Sequence, residues 1–127
     1  MIRLLALCLA LFAAFAPAAA QEAVLPGDIY PQLVDCYVAY EQDKGQAQVR
    51  GDNARVALRQ AQIKNVLLLL AHAGQAIGKG KDDVQRDIQA GMTDYFNKLA
   101  SGQIKPEDLP AQVQACETWI EADVTAP

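Results

Sequence analysis

Apolar residues recur at helical spacing along most of this chain, and that spacing constrains its fold more than any other feature. After residue 20, no useful length shows the strict alternation of apolar and polar residues that is typical of a half-buried strand. Four segments each have one apolar face, and they predict helices at about residues 28–44, 53–78, 82–100 and 108–122. The sequence therefore predicts an all-α domain.

Short polar residues, proline and glycine mark where these helices begin and end. Asp28 is a good N-cap for the first helix, and Gly45 is expected to end it, because glycine readily takes the left-handed conformation found after a helix. Residues 45–52 would then be a polar connection. Asp82 caps the third helix, and residues 106–108 (Pro-Glu-Asp) indicate the start of the fourth. The connections are short, which favours antiparallel neighbours and a small up-down four-helix bundle.

The first 20 residues have the pattern of a secretory signal peptide. Arg3 gives a short positive start, residues 4–15 form an unbroken apolar run, and residues 18–20 supply an A-x-A cleavage signature. Cleavage after Ala20 would leave residues 21–127 as a single helical domain. A membrane anchor is the alternative, but the apolar run is shorter than the roughly 20 residues of a spanning helix. We therefore expect a periplasmic or secreted protein with no stable membrane anchor.

Two cysteines follow the signal peptide, and export would place them in an oxidising compartment. Cys36 and Cys116 allow only one intramolecular pairing, and they lie near the middle of the first and fourth predicted helices. In an up-down bundle these two helices are neighbours, so the predicted disulfide and the predicted topology agree. A redox couple is the alternative, but thiol oxidoreductases usually place their cysteines in C-x-x-C. We therefore expect a structural disulfide.

The charge of the chain and its single histidine exclude several functions. With 15 Asp and Glu against 11 Lys and Arg, the net charge is −4, so nucleic acid and anionic membrane surfaces are poor partners. The sequence has no C-x-x-C-H motif for covalent haem and no Glu-x-x-His motif for a di-metal site. His72 has no nucleophile in a recognisable motif, and non-covalent haem on His72 and Met92 is the remaining alternative. We expect no catalytic residue, no metal and no cofactor.

The second predicted helix has an excess of apolar residues. It is apolar on all sides at Leu67, Leu68, Leu69 and Leu70, so either this helix is central or part of it meets a partner. We expect these four leucines to form an interaction surface for another protein or for a second copy of the chain.

The leading hypothesis is an exported, non-enzymatic helical protein that acts by protein binding or self-association. A small-ligand carrier is the first alternative, with Tyr40 and Trp119 as pocket walls between the first and fourth helices, although aromatic residues at this spacing are usually core. An acid-responsive periplasmic chaperone is the second alternative. Below about pH 4 its 15 carboxylates would lose charge, while the ten basic residues left after cleavage would repel one another.

Overall fold

The computed structural model describes residues 28–124, which form four α-helices and two short helical turns. The α-helices are α1 (Tyr30–Arg50), α2 (Asn53–Ala76), α3 (Lys81–Ala100) and α4 (Leu109–Trp119). A 3₁₀ turn, Pro106–Asp108, precedes α4, and a turn of π-helix, Ile120–Val124, follows it. No strand occurs within residues 28–124, so this part of the chain is all-helical as predicted.

Two sequence predictions concern membranes and export. None of the helices within residues 28–124 combines the length and the hydrophobicity needed to cross a bilayer. The predicted signal peptide, residues 1–20, lies outside the described residues.

The first helix is longer than the sequence pattern predicts. It continues through Gly45 to Arg50, and Gly51 follows it in the left-handed conformation with a φ of 71°. The prediction that Gly45 ends this helix is therefore wrong. The polar segment after Gly45 stays helical because Ala47 is fully buried and because Asp43, one turn earlier, pairs with α2. Burial and pairing with a distant helix thus override the local polar signal.

α1 and α2 form an antiparallel pair joined by a two-residue turn. At this turn the carboxylate of Asp52 accepts a hydrogen bond from the backbone N–H of Arg55 at 3.1 Å, which caps the start of α2. Next to the turn, Asp43 of α1 pairs with Arg59 of α2. At the opposite end, the ring of Tyr30 lies against Gly74. Contacts at both ends therefore fix the antiparallel pairing.

The core is built around α1, which contacts each of the other three helices. Its buried residues are Tyr30, Leu33, Val34, Cys36, Val38, Ala39, Tyr40, Asp43 and Ala47. Apolar residues from the other helices cover them, chiefly Ile63, Val66, Leu70, Ala73, Leu109 and Val113. No residue of α3 is fully buried, and this helix meets the core through partly buried Val84 and Ile88. The central helix is thus α1 and not α2, although α2 has the longest apolar run.

A disulfide between Cys36 and Cys116 ties α1 to α4. The two Cα atoms are 5.6 Å apart, a separation that is usual for a disulfide. The pairing predicted from the two cysteines is therefore confirmed. Because the bridge joins positions 80 residues apart, the chain-entropy model gives it a stabilisation of roughly 4.5 kcal/mol. This is a large share of the roughly 5–15 kcal/mol that a folded domain has in total.

α3 approaches α1 closely at Gly91. A Cβ atom at this position would lie 2.9 Å from Cγ1 of Val34 and 3.4 Å from Cγ2 of Val38, so a residue without a side chain is needed here. α3 contacts α2 much less, chiefly where Val84 lies against Gly74. The limited contact leaves a groove between α2 and α3.

Candidate binding groove and interaction face

α2 has an exposed side on which leucines are spaced as in a coiled coil. We define the α2 face as the exposed residues Leu58, Ala61, Asn65, Leu68 and His72. They follow one another at alternating steps of three and four residues, which is the spacing of a and d positions. Leu58 is 51% exposed and Leu68 is 61% exposed. A line of exposed side chains, three of the five apolar, therefore faces away from the core.

The second half of α2 carries no formal charge. Residues 65–78 contain no Asp, Glu, Lys or Arg, although 20% of the whole chain is charged. Earlier in the helix, Arg55 and Arg59 both pair with Asp43. Lys64 is exposed and makes no ion pair within residues 28–124. It is therefore the one unpaired cation of α2 in the described part of the chain.

The four leucines predicted to form an interaction surface are divided between the surface and the core. Leu67 is 40% exposed and Leu68 is 61% exposed, whereas Leu69 is half-buried and Leu70 is fully buried. A helix turns by about 100° per residue, so four consecutive side chains cannot share one face. Leu70 accordingly belongs to the core, Leu68 presents more than half of its surface to a partner, and Leu67 presents 40% of its surface.

A groove of about 820 Å³ lies between α2 and α3. Its apolar lining consists of Tyr37, Leu67, Ala71, Val84 and Ile88. Its polar lining includes three glutamines, Gln75, Gln85 and Gln89. Sites for small molecules have volumes of about 300–1,000 Å³ and a mostly apolar lining with a few polar groups, so this groove falls within that class.

The groove is cationic at one end. Lys79, in the connection between α2 and α3, and Lys81, the first residue of α3, line it, and no carboxylate of the described residues does. The ammonium of Lys79 lies 2.6 Å from a carboxylate oxygen of Asp87 and 5.2 Å from the centre of the Tyr30 ring. Lys81, by contrast, makes no ion pair with any residue from 28 to 124. Its charge is available to a ligand.

Asp87, the partner of Lys79, is itself held in place by a hydrogen bond from Tyr30. The hydroxyl of Tyr30 donates to the same carboxylate oxygen at 2.8 Å. The hydrogen bond from Lys79, followed by the one from Tyr30, lowers the pKa of Asp87 below its ordinary value. Burial, followed by the hydrogen bond to Asp87, raises the pKa of Tyr30. Asp87 is therefore ionised and Tyr30 neutral at ordinary pH, and together they fix the position of the Lys79 ammonium.

A polar cluster between α1, α2 and α4 lies apart from this groove. Arg59 donates to Asp43 at 2.6 Å and to Gln62 at 2.5 Å. Gln62 in turn donates to Glu117 of α4 at 2.9 Å. No buried side-chain nitrogen or oxygen within residues 28–124 lacks a hydrogen-bond partner. The groups of this cluster satisfy one another, and they serve to hold three helices together.

His72 and Met92, the pair left open for haem, have different surroundings. His72 is exposed on the α2 face, whereas Met92 is half-buried and its sulfur accepts a hydrogen bond from Gln42 at 3.8 Å. Within residues 28–124, no group of three or more His, Cys, Asp or Glu side chains is arranged to hold a metal ion.

Tyr40 and Trp119, the predicted pocket walls, line different depressions. Tyr40 is fully buried, and its edge lines a depression of about 240 Å³ beside Gln62 and Glu117. Trp119 is half-buried and lines another depression with Thr118 on α4. The guanidinium of Arg59 lies 5.7 Å from the centre of the Tyr40 ring. Tyr40 is therefore part of the polar cluster and the core, and it does not face Trp119 across a pocket.

Sequence reasoning did not find the groove. The sequence pattern predicts one apolar face for the third helix, but it singles out neither Lys79 nor Lys81. The signal that could have located the groove is Gly91, which sets α3 against α1 and so leaves the side of α3 that faces α2 uncovered.

Comparisons of the chain with protein-family models, with curated proteins and with solved structures find no match. Its function is therefore inferred from its own residues.

Proposed function

We propose that this chain is an exported, non-enzymatic helical protein that acts by binding, and that it binds a second copy of itself through the α2 face. Residues 1–20 support export, because their pattern is that of a signal peptide cleaved after Ala20, and the destination is the periplasm or the secreted fraction. The disulfide between Cys36 and Cys116 adds support, since disulfides persist in oxidising compartments. We also propose the up-down order for the four helices, and the antiparallel pairing of α1 with α2 supports its first step.

The exposure of Leu58 and Leu68 is the observation that carries this proposal. A single exposed leucine is normal on a protein surface. Leu58 and Leu68 are both more than half exposed and lie on one line of coiled-coil spacing. Leu68 also lies within a run of 14 residues without a formal charge, so the two leucines form a surface suited to a partner. Burying them in an interface would remove their apolar area from water.

The distribution of charge favours a second copy as the partner. Loss of Arg3 with the signal peptide leaves ten basic and 15 acidic residues, so two copies repel each other over most of their surfaces. α2 has no acidic residue, and two of its three basic residues pair with Asp43. Within α2 itself, Lys64 is therefore the one charged residue without an ion pair when two α2 faces approach. Asn65, at an a-type position, is a residue type that can fix register and oligomeric state.

Sedimentation equilibrium of the exported protein, with its disulfide intact, tests this proposal. We expect a concentration-dependent dimer for the natural sequence. Leu68→Glu should give a monomer, because it places a charge on the α2 face without removing any buried side chain. Circular dichroism would establish that this variant keeps its helices.

Phe96→Glu is the matched control. Phe96 is 51% exposed on α3 and lies outside the α2 face, so the substitution adds the same charge at a similarly exposed apolar residue. We expect it to leave the dimer intact. A natural protein that stays monomeric at high concentration, or two variants that dissociate equally, would contradict the proposal.

A small-ligand carrier is the second candidate function, and the groove between α2 and α3 favours it. The groove has the volume and the mixed lining of a ligand site, and the two lysines at one end would orient a ligand that carries a negative group.

A further inference from the structure

We propose that the groove between α2 and α3 binds a free medium-chain carboxylate, with the carboxylate at Lys81 and Lys79 and the alkyl chain along the apolar lining. The carboxylate would meet the cationic end of the groove, where Lys79 of the connection between α2 and α3 and Lys81 at the start of α3 line it. The alkyl chain would lie between Ala71 on one wall and Val84 and Ile88 on the other. This binding does not depend on the α2 face, because Leu68 does not line the groove.

The shape of the groove favours an alkyl chain. On its α3 side the lining residues run from Lys81 to Gln89, and eight steps of helical rise span about 12 Å. An extended decanoate chain is of about that length. The apolar groups on both walls would remove the methylene groups from water, and the three glutamines offer no charge that would oppose this.

The charge of the groove favours an anion. Both of its charged lining residues are lysines, and among the described residues no carboxylate lines it. Lys79 is already paired with Asp87, which offsets part of its attraction for an anion. Lys81 has no ion pair within residues 28–124. Asp82 and Asp83 lie in the first turn of α3 but do not line the groove, and Asp83 caps the helix by accepting from the N–H of Gly80. Lys81 is therefore the group that would recognise the carboxylate.

Calorimetric titration of the exported protein with decanoate, decanol and decyltrimethylammonium tests both parts of this inference. We expect decanoate to bind at least about tenfold more tightly than decanol, because it gains a charge-assisted hydrogen bond, and the cation not to bind. From octanoate to decanoate, each added methylene should tighten binding about fourfold. Equal binding of decanoate and decanol, or binding of the cation, would overturn the proposal.

Two pairs of matched variants locate the site. Ala71→Glu puts a carboxylate into the groove at an exposed position and should weaken decanoate binding by at least about tenfold, whereas Ala90→Glu, exposed on α3 outside the groove, should not. Lys81→Gln should weaken it about tenfold and abolish the preference for decanoate over decanol, whereas Lys105→Gln should change neither. Equal effects within either pair would place binding elsewhere and overturn the assignment.

Two further measurements separate this inference from other occupants of the groove. Leu68→Glu should bind decanoate as the natural protein does. If instead decanoate does not bind the natural protein and Ala71→Glu abolishes its dimer, the groove is an interface between copies and the proposal is overturned. Phosphatidylglycerol vesicles test a membrane as the source of the anionic chain. We expect no binding to them, because the chain is itself acidic. Binding to vesicles without binding to decanoate would overturn the proposal.

Discussion

The carboxylate of Asp43 lies 2.6 Å from Nε of Arg59, and both side chains are almost fully buried. Arg55 completes the arrangement, since its Nε and one terminal nitrogen donate to the two carboxylate oxygens of Asp43 at 2.8 and 3.1 Å. Arg59 also lies 3.4 Å from Glu117 of α4. One buried carboxylate therefore joins the end of α1 to the start of α2, and its partner Arg59 extends the link to α4.

Replacing Asp43 with Asn should destabilise the fold strongly. The substitution removes the carboxylate charge and leaves the guanidinium of Arg59 buried with less compensation, so we expect a loss of about 3–5 kcal/mol in the free energy of unfolding. Arg55→Gln is the control, because Arg55 is 37% exposed and such pairs contribute about 0–1 kcal/mol. Urea denaturation measures both. An Asp43→Asn variant within about 1 kcal/mol of Arg55→Gln would contradict this prediction.

Acid should destabilise the protein through the same carboxylate. Burial alone would raise the pKa of Asp43, but the hydrogen bonds from Arg55 and Arg59 outweigh it and hold the pKa below its ordinary value of 3.8. Because the carboxyl is more acidic in the folded than in the unfolded state, its stabilisation is complete above the unfolded pKa and is lost as the pH falls through the folded pKa. Asp87, whose pKa is also lowered, adds a change of the same sign.

The free energy of unfolding should therefore vary little between about pH 7 and 5 and fall below about pH 4. The natural protein and Asp43→Asn can be compared by urea denaturation across this range, and the variant should show the smaller decrease. An equal decrease in both would mean that other carboxylates dominate. The acid-responsive chaperone alternative is tested by measuring, over the same pH range, whether the natural protein suppresses aggregation of a client protein. No suppression at low pH would contradict that alternative.

The helices could be predicted from the sequence because the spacing of apolar residues is a local signal. The disulfide could be predicted because only two cysteines follow the signal peptide. The end of α1 could not be. Gly45 and its polar neighbours resemble a helix end, and what keeps them helical is burial of Ala47 and the pairing of Asp43 with α2, which join residues far apart in the chain. The disulfide between Cys36 and Cys116 also does not determine whether α4 runs parallel or antiparallel to α1. A bridge between the middles of two helices can form in both arrangements.

Gly45→Ala should stabilise the protein, whereas Gly51→Ala should destabilise it. Gly45 lies inside α1, and a methyl group on its Cα would have no other atom within 4 Å, so alanine gains about 0.5–1 kcal/mol of helix propensity. Gly51 has a φ of 71°, where a Cβ atom costs roughly 1–2 kcal/mol. Thermal and urea unfolding of the two variants measure both signs. The opposite pair of signs would mean that α1 ends at Gly45.

The candidate site was only partly predictable, because exposure depends on which helices cover which faces. The apolar run of α2 indicated a surface, yet Leu70 is in the core and Leu68 is exposed, two residues apart on the same helix. The groove depends on the position of α3, which no local pattern specifies. Val84 and Ile88 have the same spacing whether they face α1 alone or also line a groove, and the position of α3 depends on contacts with α1 such as that of Gly91 with Val34.

Gly91→Ala should therefore destabilise the protein even though alanine is the better helix former. The new methyl group would meet Cγ1 of Val34 at 2.9 Å, a distance at which the Val34 side chain or one of the two helices must shift. Such overpacking costs about 1–3 kcal/mol, and the gain in helix propensity offsets about 1 kcal/mol of it, so the net loss should be about 0–2 kcal/mol. Gly45→Ala adds the same methyl group to a helix interior in open space, so the difference between the two variants isolates the packing cost. If Gly91→Ala proves as stabilising as Gly45→Ala in urea unfolding, α3 does not rest on α1 at this residue.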